Sequence, residues 1–219
     1  MRINKFVAQS TGLSRRAADQ AIADGRVLVN QLLPESGDQV GTDDIVTLDS
    51  RRITPPVKTT TIIMHKPAGF VCSRKGQGSR TIYDLLPERY QNLKSVGRLD
   101  KESSGLILLT DDGDLANELT HPSFVKTKIY EVGLDTALQP LHQQMVSDNG
   151  VMLEDGPSKL QLQKLDDTGL SWQITMHEGR NRQIRRTFSS LGYEVKTLHR
   201  TSFGNYALGD LKAAQVREA

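Results

Sequence analysis

The segment from residue 96 to residue 110 reads Val96-Gly97-Arg98-Leu99-Asp100-Lys101-Glu102-Ser103-Ser104-Gly105-Leu106-Ile107-Leu108-Leu109-Thr110. Its second half, Leu106 to Leu109, is an apolar run bounded by turn residues, which is typical of a core strand. Asp100 precedes this strand in a turn-like segment, so we expect its carboxylate to lie at the mouth of a sheet. A carboxylate held there can serve as a nucleophile or a base. The alternative is a turn hydrogen bond, a common role for a loop aspartate.

Composition predicts a soluble, cytoplasmic protein. The chain has 219 residues, 37% of them hydrophobic, which allows one large domain or one medium and one small domain. No apolar run approaches the roughly 20 residues of a membrane span, so we expect no membrane contact. The N-terminal residues lack the apolar core of a signal peptide. The single cysteine, Cys72, excludes an internal disulfide and is typical of a reducing cytoplasm.

Basic residues are clustered although the net charge is only +2. Residues 1–30 hold five basic and two acidic residues, and residues 177–200 hold six basic and two acidic residues. The loop 72–80 adds Arg74, Lys75 and Arg80 with no acidic residue. Three such clusters in a nearly neutral chain predict a phosphate-binding surface. A single cluster would equally fit an ordinary solvated face.

The first fifty residues form a small unit of two helices followed by short strands. A helix over 3–11 ends at Gly12, and a second helix begins after Ser14 as N-cap and ends near Ala23. Short strands follow at 26–30 and 45–48. The segments 2–7, 12–18 and 25–30 resemble an S4 domain, an RNA-binding module whose helices present basic residues to structured RNA. The resemblance implies RNA contacts from Lys5, Arg15, Arg16 and Arg26. The alternative is a small helical domain with a charged face.

Residues 51–60 are polar and interrupted by Pro55 and Pro56, so we expect a stiff linker there. The domain from 61 to 219 is predicted to be α+β with a mostly antiparallel sheet. Its predicted strands are 61–65, 106–109, 127–134, 159–165, 170–176 and 192–200. Its predicted helices are 82–86, one after Asp111 or Asp112, 140–146, 177–191 and a closing helix over 210–217.

The stretch His177-Glu178-Gly179-Arg180-Asn181-Arg182-Gln183-Ile184-Arg185-Arg186 opens the predicted helix 177–191. Helical periodicity places Arg182 and Arg186 on the face opposite Ile184, where they can reach solvent or RNA phosphates. Arg185 falls at the boundary of the apolar face, and a half-buried arginine needs a carboxylate partner. Asp100 is our candidate for that partner. A neighbouring arginine would keep its carboxylate ionised and fix its orientation. A surface amphipathic helix would explain the charges alone.

Five segments together resemble the ribosomal RNA branch of the pseudouridine synthases, the RsuA/RluB/RluE/RluF family. They are the S4-like start, Lys66-Pro67-Ala68-Gly69, Gly97-Arg98-Leu99-Asp100, Lys128-Ile129-Tyr130-Glu131-Val132 and the stretch 178–186. The resemblance covers nearly the whole chain. It implies a catalytic domain with a central antiparallel sheet, peripheral helices and an active site in a cleft.

The resemblance also assigns roles to individual residues. Asp100 matches the catalytic aspartate, Tyr130 the tyrosine beside the target base, and Arg185 the basic residue that pairs with the aspartate. Arg98 matches an arginine that helps to extrude the target nucleotide, and Leu198 matches an apolar residue of the base pocket. Core packing alone would also explain the strand positions of Tyr130 and Leu198. The loop residues Arg74 and Lys75, together with Arg182 and Arg186, are expected to bind RNA backbone.

The implied reaction is isomerisation of uridine in ribosomal RNA, which adds and removes no group, so we expect neither a cofactor nor a metal ion. Large-subunit (23S) RNA is preferred over small-subunit (16S) RNA, and we expect a monomer. One alternative is a catalytically inactive protein for RNA binding or ribosome assembly on the same fold. Another is a glycosidase-like hydrolase, but such enzymes usually need two carboxylates and no second acid stands out beside Asp100.

Overall fold

The computed structural model describes residues 1–55 and 58–219, which divide into two compact units. The smaller unit comprises Met1–Thr60 with Asp111–Gly113, and the larger comprises Thr61–Thr110 with Asp114–Ala219. Pro56, one of the two prolines of the predicted linker, lies outside the described residues. No helix in these ranges is long and apolar enough to cross a membrane.

The helices of the smaller unit are α1 (Ile3–Thr11) and α2 (Arg15–Ala23), as predicted. Gly12 ends α1 in the left-handed conformation with φ of 77°, which a glycine adopts without a steric penalty. Ser14 caps α2 because its hydroxyl accepts a hydrogen bond of 3.1 Å from the backbone N–H of Ala17. The apolar faces of both helices are buried together.

Three described strands form the sheet of the smaller unit, β1 (Val27–Val29), β2 (Val46–Leu48) and β3 (Arg51–Ile53), all antiparallel. The third strand lies where we expected the linker to begin. Asp49 and Ser50 have φ of 50° and 65°, so they form a tight two-residue turn that returns the chain along β2. The sequence carries no Asn-Gly or Asp-Gly signal at this turn, so the pattern did not reveal the hairpin.

The larger unit contains eleven further strands within the described residues. They are β4 (Thr61–Lys66), β5 (Lys94–Val96), β6 (Ser104–Thr110), β7 (Lys128–Leu134), β8 (Val151–Leu153), β9 (Gly156–Ser158), β10 (Gln161–Lys164), β11 (Ser171–Met176), β12 (Val195–Phe203), β13 (Tyr206–Ala207) and β14 (Val216–Glu218). The main sheet has the order β10-β11-β7-β12-β6-β4-β14, with β13 beside β12 and β5 beside β6, whereas β8 and β9 form a separate hairpin.

The main sheet is antiparallel except where β6 and β12 run parallel, among the strands described. The predicted core strand is confirmed, since the side chains of Leu106 to Leu109 in β6 are 0% exposed. Ile107 and Leu109 pack on one face of the sheet, and Leu106 and Leu108 pack on the other. Because both faces are covered, the sequence of this strand is continuously apolar and does not alternate.

Short helices surround the sheet. They are α3 (Gly113–Thr120), α4 (Pro140–Gln144) and α5 (Gln183–Ser189), with 3-10 turns at Ile82–Leu85 and Glu88–Tyr90 and a π turn at Met145–Asn149. The helix predicted over 177–191 is therefore confined to α5. Arg182 precedes α5 with φ of 46°, outside the helical region, so the residues before it form a loop.

The closing helix predicted over 210–217 is wrong. Gly209 and Ala214 have φ of 59° and 67°, so turns occupy this stretch. The chain then ends in β14, which pairs antiparallel with β4 from Val216 opposite Met64 to Glu218 opposite Ile62. The pairing with β4 supplies backbone hydrogen bonds that local helix propensity cannot reveal.

Gly105 lies where β6 passes close to β12. Its φ is 106°, and a β-carbon built on it would lie 2.2 Å from the carbonyl oxygen of Arg200 and 2.5 Å from the backbone nitrogen of Arg200. Only glycine permits this approach of two backbones. The parallel pairing that brings β12 beside β6 therefore requires a glycine at position 105.

We expect Gly105→Ala to lower the free energy of unfolding of the larger unit by about 2–4 kcal/mol, because two backbones would have to separate. The fluorescence of Trp172, the single tryptophan and a buried residue of this unit, reports its unfolding in urea. Gly192→Ala is the matched control, since Gly192 lies in the same unit with a φ of 87° and its β-carbon would meet nothing within 4 Å. Equal stability of the two variants would contradict the prediction.

Candidate active site

The loop between β5 and β6 holds Asp100 at the end of the main sheet, as expected. The side chain of Asp100 is 27% exposed, so the carboxylate is reachable from solvent while its backbone is fixed. The backbone carbonyl of Asp100 accepts a hydrogen bond of 3.1 Å from the N–H of Ser103. The carbonyl of Lys101 accepts one of 2.7 Å from the N–H of Gly69, which ties the loop to the turn after β4.

Lys66 is buried beneath this loop, with 0% exposure. Its ammonium donates hydrogen bonds to the backbone carbonyls of Pro67 at 3.1 Å, Asp100 at 3.0 Å and Ser103 at 2.6 Å. Burial lowers the pKa of Lys66, an effect that Asp100 partly opposes. Sequence analysis recognised Lys66 only as part of a motif. The signal for its role was a lysine at the end of the apolar strand 61–66.

Cys72 braces the same loop from a second side. Its thiol donates to the carbonyl of Leu99 and accepts from the N–H of Leu99, both at 3.3 Å. Burial raises the pKa of the thiol, so the protonated form that can donate is favoured. Cys72 is thus a structural residue next to Asp100.

A pocket of about 410 Å³ opens beside Asp100, within the size range of small-molecule sites. The structure brings five of the sequence-predicted residues together in its wall: Arg98, Asp100, Tyr130, Arg182 and Leu198. Tyr130 and Leu198 are 8% and 7% exposed, and they form part of an apolar surface on which a flat ring can pack. Arg98 is exposed at the same pocket.

The arginine at ion-pair distance from Asp100 is Arg182 and not Arg185. The Nη1 atom of Arg182 lies 3.6 Å from the Oδ2 atom of Asp100 and 3.1 Å from the Oε2 atom of Glu102. Arg185 is half-buried, as predicted, but its guanidinium donates to the carbonyl of Val195 at 2.7 Å and to the hydroxyl of Ser103 at 3.4 Å. Arg182 itself adopts the left-handed conformation just before α5, and this turns its side chain toward the loop that carries Asp100. Helical periodicity alone did not predict this direction.

Hydrogen bonds, burial and neighbouring charges shift the pKa values of Glu102 and Arg185. A backbone hydrogen bond and the Arg182 guanidinium hold the pKa of Glu102 below its usual range. Burial, followed by repulsion from Arg182, lowers the pKa of Arg185, whereas Asp100 raises it. The Arg182 guanidinium lies beside the Asp100 carboxylate and can orient it toward the pocket.

Arg186 and Arg180 both bind Asp155, in the turn between β8 and β9. Arg186 donates to Asp155 from Nη1 at 3.0 Å and from Nη2 at 2.7 Å. Arg180 reaches the same carboxylate at 2.9 Å and also donates to the carbonyls of Gly156 and Pro157. The hydrogen bond from Arg186 is the main reason why the pKa of Asp155 is low. Arg186, predicted to face RNA, is therefore already paired, and the pair anchors the loop that supplies Arg182.

The remaining predicted basic residues are spread over the two units. In the larger unit, Arg74 stacks on Tyr83 at 4.3 Å and donates to the carbonyl of Leu93, and Lys75 is exposed. In the smaller unit, Lys5 is partly exposed, Arg15 and Arg16 are exposed, and Arg26 forms a two-pronged ion pair with Asp49.

Sequence analysis missed two aromatic residues at the rim of the pocket, His121 and Phe124. Their rings meet edge to face with centroids 6.2 Å apart, and Phe124 is 47% exposed. Both line the pocket. No sequence pattern marks them, because the exposure of a ring beside a pocket, where such rings commonly stack on bases, is visible only in the folded chain.

Comparison with known proteins agrees with the fold. Residues 60–190 match the family model described as RNA pseudouridylate synthase, and residues 1–46 match the model of the S4 domain. The chain therefore belongs to the RNA pseudouridylate synthase family and carries an S4 domain in its smaller unit. The resemblance drawn from the sequence is confirmed.

Individual relatives are similar along nearly the whole chain. The ribosomal large subunit pseudouridine synthase B of Bacillus subtilis is 33% identical, over 99% of this chain and 91% of the relative. The ribosomal small subunit pseudouridine synthase A of Vibrio parahaemolyticus is 32% identical, over 96% of this chain and 91% of the relative. A crystal structure of a pseudouridylate synthase aligns with a TM-score of 0.71 at 32% identity, covering 100% of this chain and 96% of that chain.

We expect Arg182→Gln and Arg185→Gln to have different effects. Arg182→Gln should slow single-turnover isomerisation about 100-fold with little change in stability, because it removes the partner of Asp100. Arg185→Gln should lower the free energy of unfolding by about 1–3 kcal/mol, because it leaves the buried carbonyl of Val195 without its donor. Urea denaturation and a rate measurement on both variants test this. A stable Arg185→Gln protein that lost more activity than Arg182→Gln would refute the assignment.

Proposed function

We propose that this chain isomerises a specific uridine in ribosomal RNA to pseudouridine, with Asp100 as the essential catalytic group. The observation that carries the proposal is the convergence of Asp100, Tyr130 and Leu198 on one pocket. The names of the relatives, which refer to both ribosomal subunits, support ribosomal RNA as the substrate. The S4 domain supports the same class of partner.

The reaction places the uracil ring against Tyr130 and Leu198 and the ribose next to Asp100. The C1′–N1 bond breaks, the uracil turns over, and C5 bonds to C1′ while the C5 proton is lost. Asp100 either attacks C1′ or removes a ribose proton to form a glycal, and both routes need an ionised carboxylate. Arg182 supports both, because its guanidinium lies 3.6 Å from that carboxylate.

The target uridine must leave its base stack to reach Asp100, so we propose base flipping. Arg98 supports this step, because it is exposed at the pocket that would receive the flipped base. Its side chain is long enough to occupy the space that the base leaves behind. Lys75, Arg74 and the exposed Arg15 and Arg16 of the S4 domain would bind phosphates and set the orientation of the RNA, whereas Arg26 is already paired with Asp49.

We further propose large-subunit RNA as the preferred target, a monomeric state and action in the cytoplasm. The preference for the large subunit rests on the stretch 178–186, since relatives named for either subunit are similarly close. A free, buried Cys72 fits a reducing compartment.

Tritium release from ribosomal RNA that carries 5-tritiated uridine tests the reaction class. The native chain should release tritium, because C5 must lose its hydrogen when it bonds to C1′. Asp100→Asn should slow release by roughly a thousand-fold or more, since the amide is neither a nucleophile nor a base. The loop should persist in this variant, because Lys66 holds it through backbone carbonyls and not through the carboxylate.

Other outcomes distinguish the competing functions. Free uracil without tritium exchange would show a hydrolase. RNA binding without tritium release, on mature and precursor RNA alike, would show an inactive protein for binding or assembly. Release by Asp100→Asn at the native rate would refute the role of Asp100.

The S4 domain gives a second prediction. The double variant Arg15→Ala/Arg16→Ala should bind ribosomal RNA more weakly than the native chain, and the slope of log affinity against log salt should fall by about 2. Arg26→Ala is the matched control, because Asp49 already neutralises that guanidinium. A filter-binding titration between low and physiological salt measures both. Equal effects of the double variant and the control would contradict an RNA-binding role for Arg15 and Arg16.

A further inference from the structure

Arg200 is a buried arginine in the wall of the pocket, and neither the sequence motifs nor the mechanism above gives it a role. It lies on β12, two residues after Leu198, so both side chains are on the same face of the sheet. Arg200 is 3% exposed. It is nevertheless among the residues that line the pocket.

The contacts of the Arg200 guanidinium leave part of it unused. Nε donates to the carbonyl of Leu106 at 2.8 Å, and the group lies 4.9 Å from the ring centre of Phe203. Nη1 reaches the hydroxyl of Tyr130 only at 3.5 Å. Nη2 is buried and has no hydrogen-bond partner in the described part of the chain. The guanidinium is thus held in place through Nε, while the donor capacity of Nη2 is unused.

The charge of Arg200 is also uncompensated within the protein. No carboxylate among residues 1–55 and 58–219 forms an ion pair with it. Buried charges are normally paired, because removing an ion from water is costly. Lys128 increases the cost, since burial and then the positive charge of Arg200 lower the pKa of this neighbouring lysine. An unpaired buried cation at a pocket indicates that an anionic partner arrives there.

The other positively charged side chains of the pocket either contact acceptor groups of the protein or are exposed to solvent. Arg182 faces the carboxylates of Asp100 and Glu102. Arg180 binds Asp155, and Lys128 donates to the carbonyl of Glu178 at 3.1 Å. Arg98 is exposed to solvent, where water screens its charge. Arg200 is therefore the cation best placed to act on charge inside the pocket.

The reaction proposed above creates such a charge. When the C1′–N1 bond breaks, its electron pair stays with N1, and uracil becomes an anion whose charge spreads to O2 and O4. This holds whether C1′ bonds to Asp100 or the ribose becomes a glycal. When C5 then bonds to C1′, the C5 proton is lost and N1 gains a proton, so the overall reaction is an isomerisation.

We propose that Arg200 stabilises the departing uracil anion. A preorganised positive charge in a site shielded from water favours a transition state in which negative charge develops, more than it favours the neutral substrate. Phe203 and the carbonyl of Leu106 hold the guanidinium in place before the reaction, so little reorganisation is needed. This inference rests on the proposed isomerisation of uridine.

The test compares two substrates that differ in leaving-group acidity. Fluorine at C5 withdraws electrons, so 5-fluorouracil carries a negative charge more easily than uracil and needs less help to leave. Single-turnover rates are measured for RNA containing uridine, by tritium release, and for RNA containing 5-fluorouridine, by its consumption in a nuclease digest. The full-length native chain, Arg200→Gln and Arg200→Met are compared.

We expect Arg200→Gln to slow the reaction of uridine about 100-fold and that of 5-fluorouridine about 10-fold or less. Arg200→Met provides the same comparison if Arg200→Gln does not fold, because an apolar chain of similar length suits the aromatic surroundings. Arg89→Gln is the control, since Arg89 also stacks on a tyrosine but lies outside the pocket. It should leave both rates unchanged.

A loss of the same factor on both substrates would overturn the inference, because a merely structural role slows both reactions alike. Native rates in a folded Arg200 variant would overturn it too. If the native chain released no tritium from uridine, the proposed function would fail, and this inference with it. The two failures are thus distinguishable.

Discussion

The buried ammonium of Lys66 is the interaction on which the site depends. Lys66 ends β4, and its ammonium binds the backbone carbonyls of Pro67, Asp100 and Ser103, so it fastens the loop that carries Asp100 to the end of that strand. An apolar residue in its place would take one buried donor away from each of these carbonyls, which is costly. Because the anchoring uses backbone atoms, the carboxylate of Asp100 stays available for chemistry, and Cys72 steadies the neighbouring Leu99 in the same way.

The parallel contact of β6 with β12 complements this anchor. It places the strand that carries Leu198 and Arg200 beside the strand that follows Asp100, which closes the pocket from a second side. The contact exists only because residue 105 has no side chain. Gly105 thus allows β12, almost a hundred residues further along the chain, to lie beside the loop of residues 97–104.

The arginines show how tertiary structure assigns roles to similar side chains. Arg182, Arg185 and Arg186 lie within five residues, yet the first faces Asp100, the second binds the backbone of Val195, and the third binds Asp155. The hairpin of β8 and β9 provides Asp155 and thereby fixes the loop before α5. The basic clusters of the sequence are therefore not available as a whole to an anionic partner, because Arg180 and Arg186 are already bound to Asp155.

The sequence by itself determined the family, the S4 start, the α+β class and the core strand 106–109, and it marked Asp100, Tyr130 and Leu198 as candidate site residues. These follow from local patterns: helix caps, an apolar run between turn residues and ordered motifs. Only the tertiary structure decided that Arg182 pairs with Asp100, that Lys66 supports the loop, that Arg200 is buried without a counter-charge and that the chain ends in a strand. Each of these depends on contacts between distant segments, or on a left-handed residue such as Arg182, which periodicity along the chain does not encode.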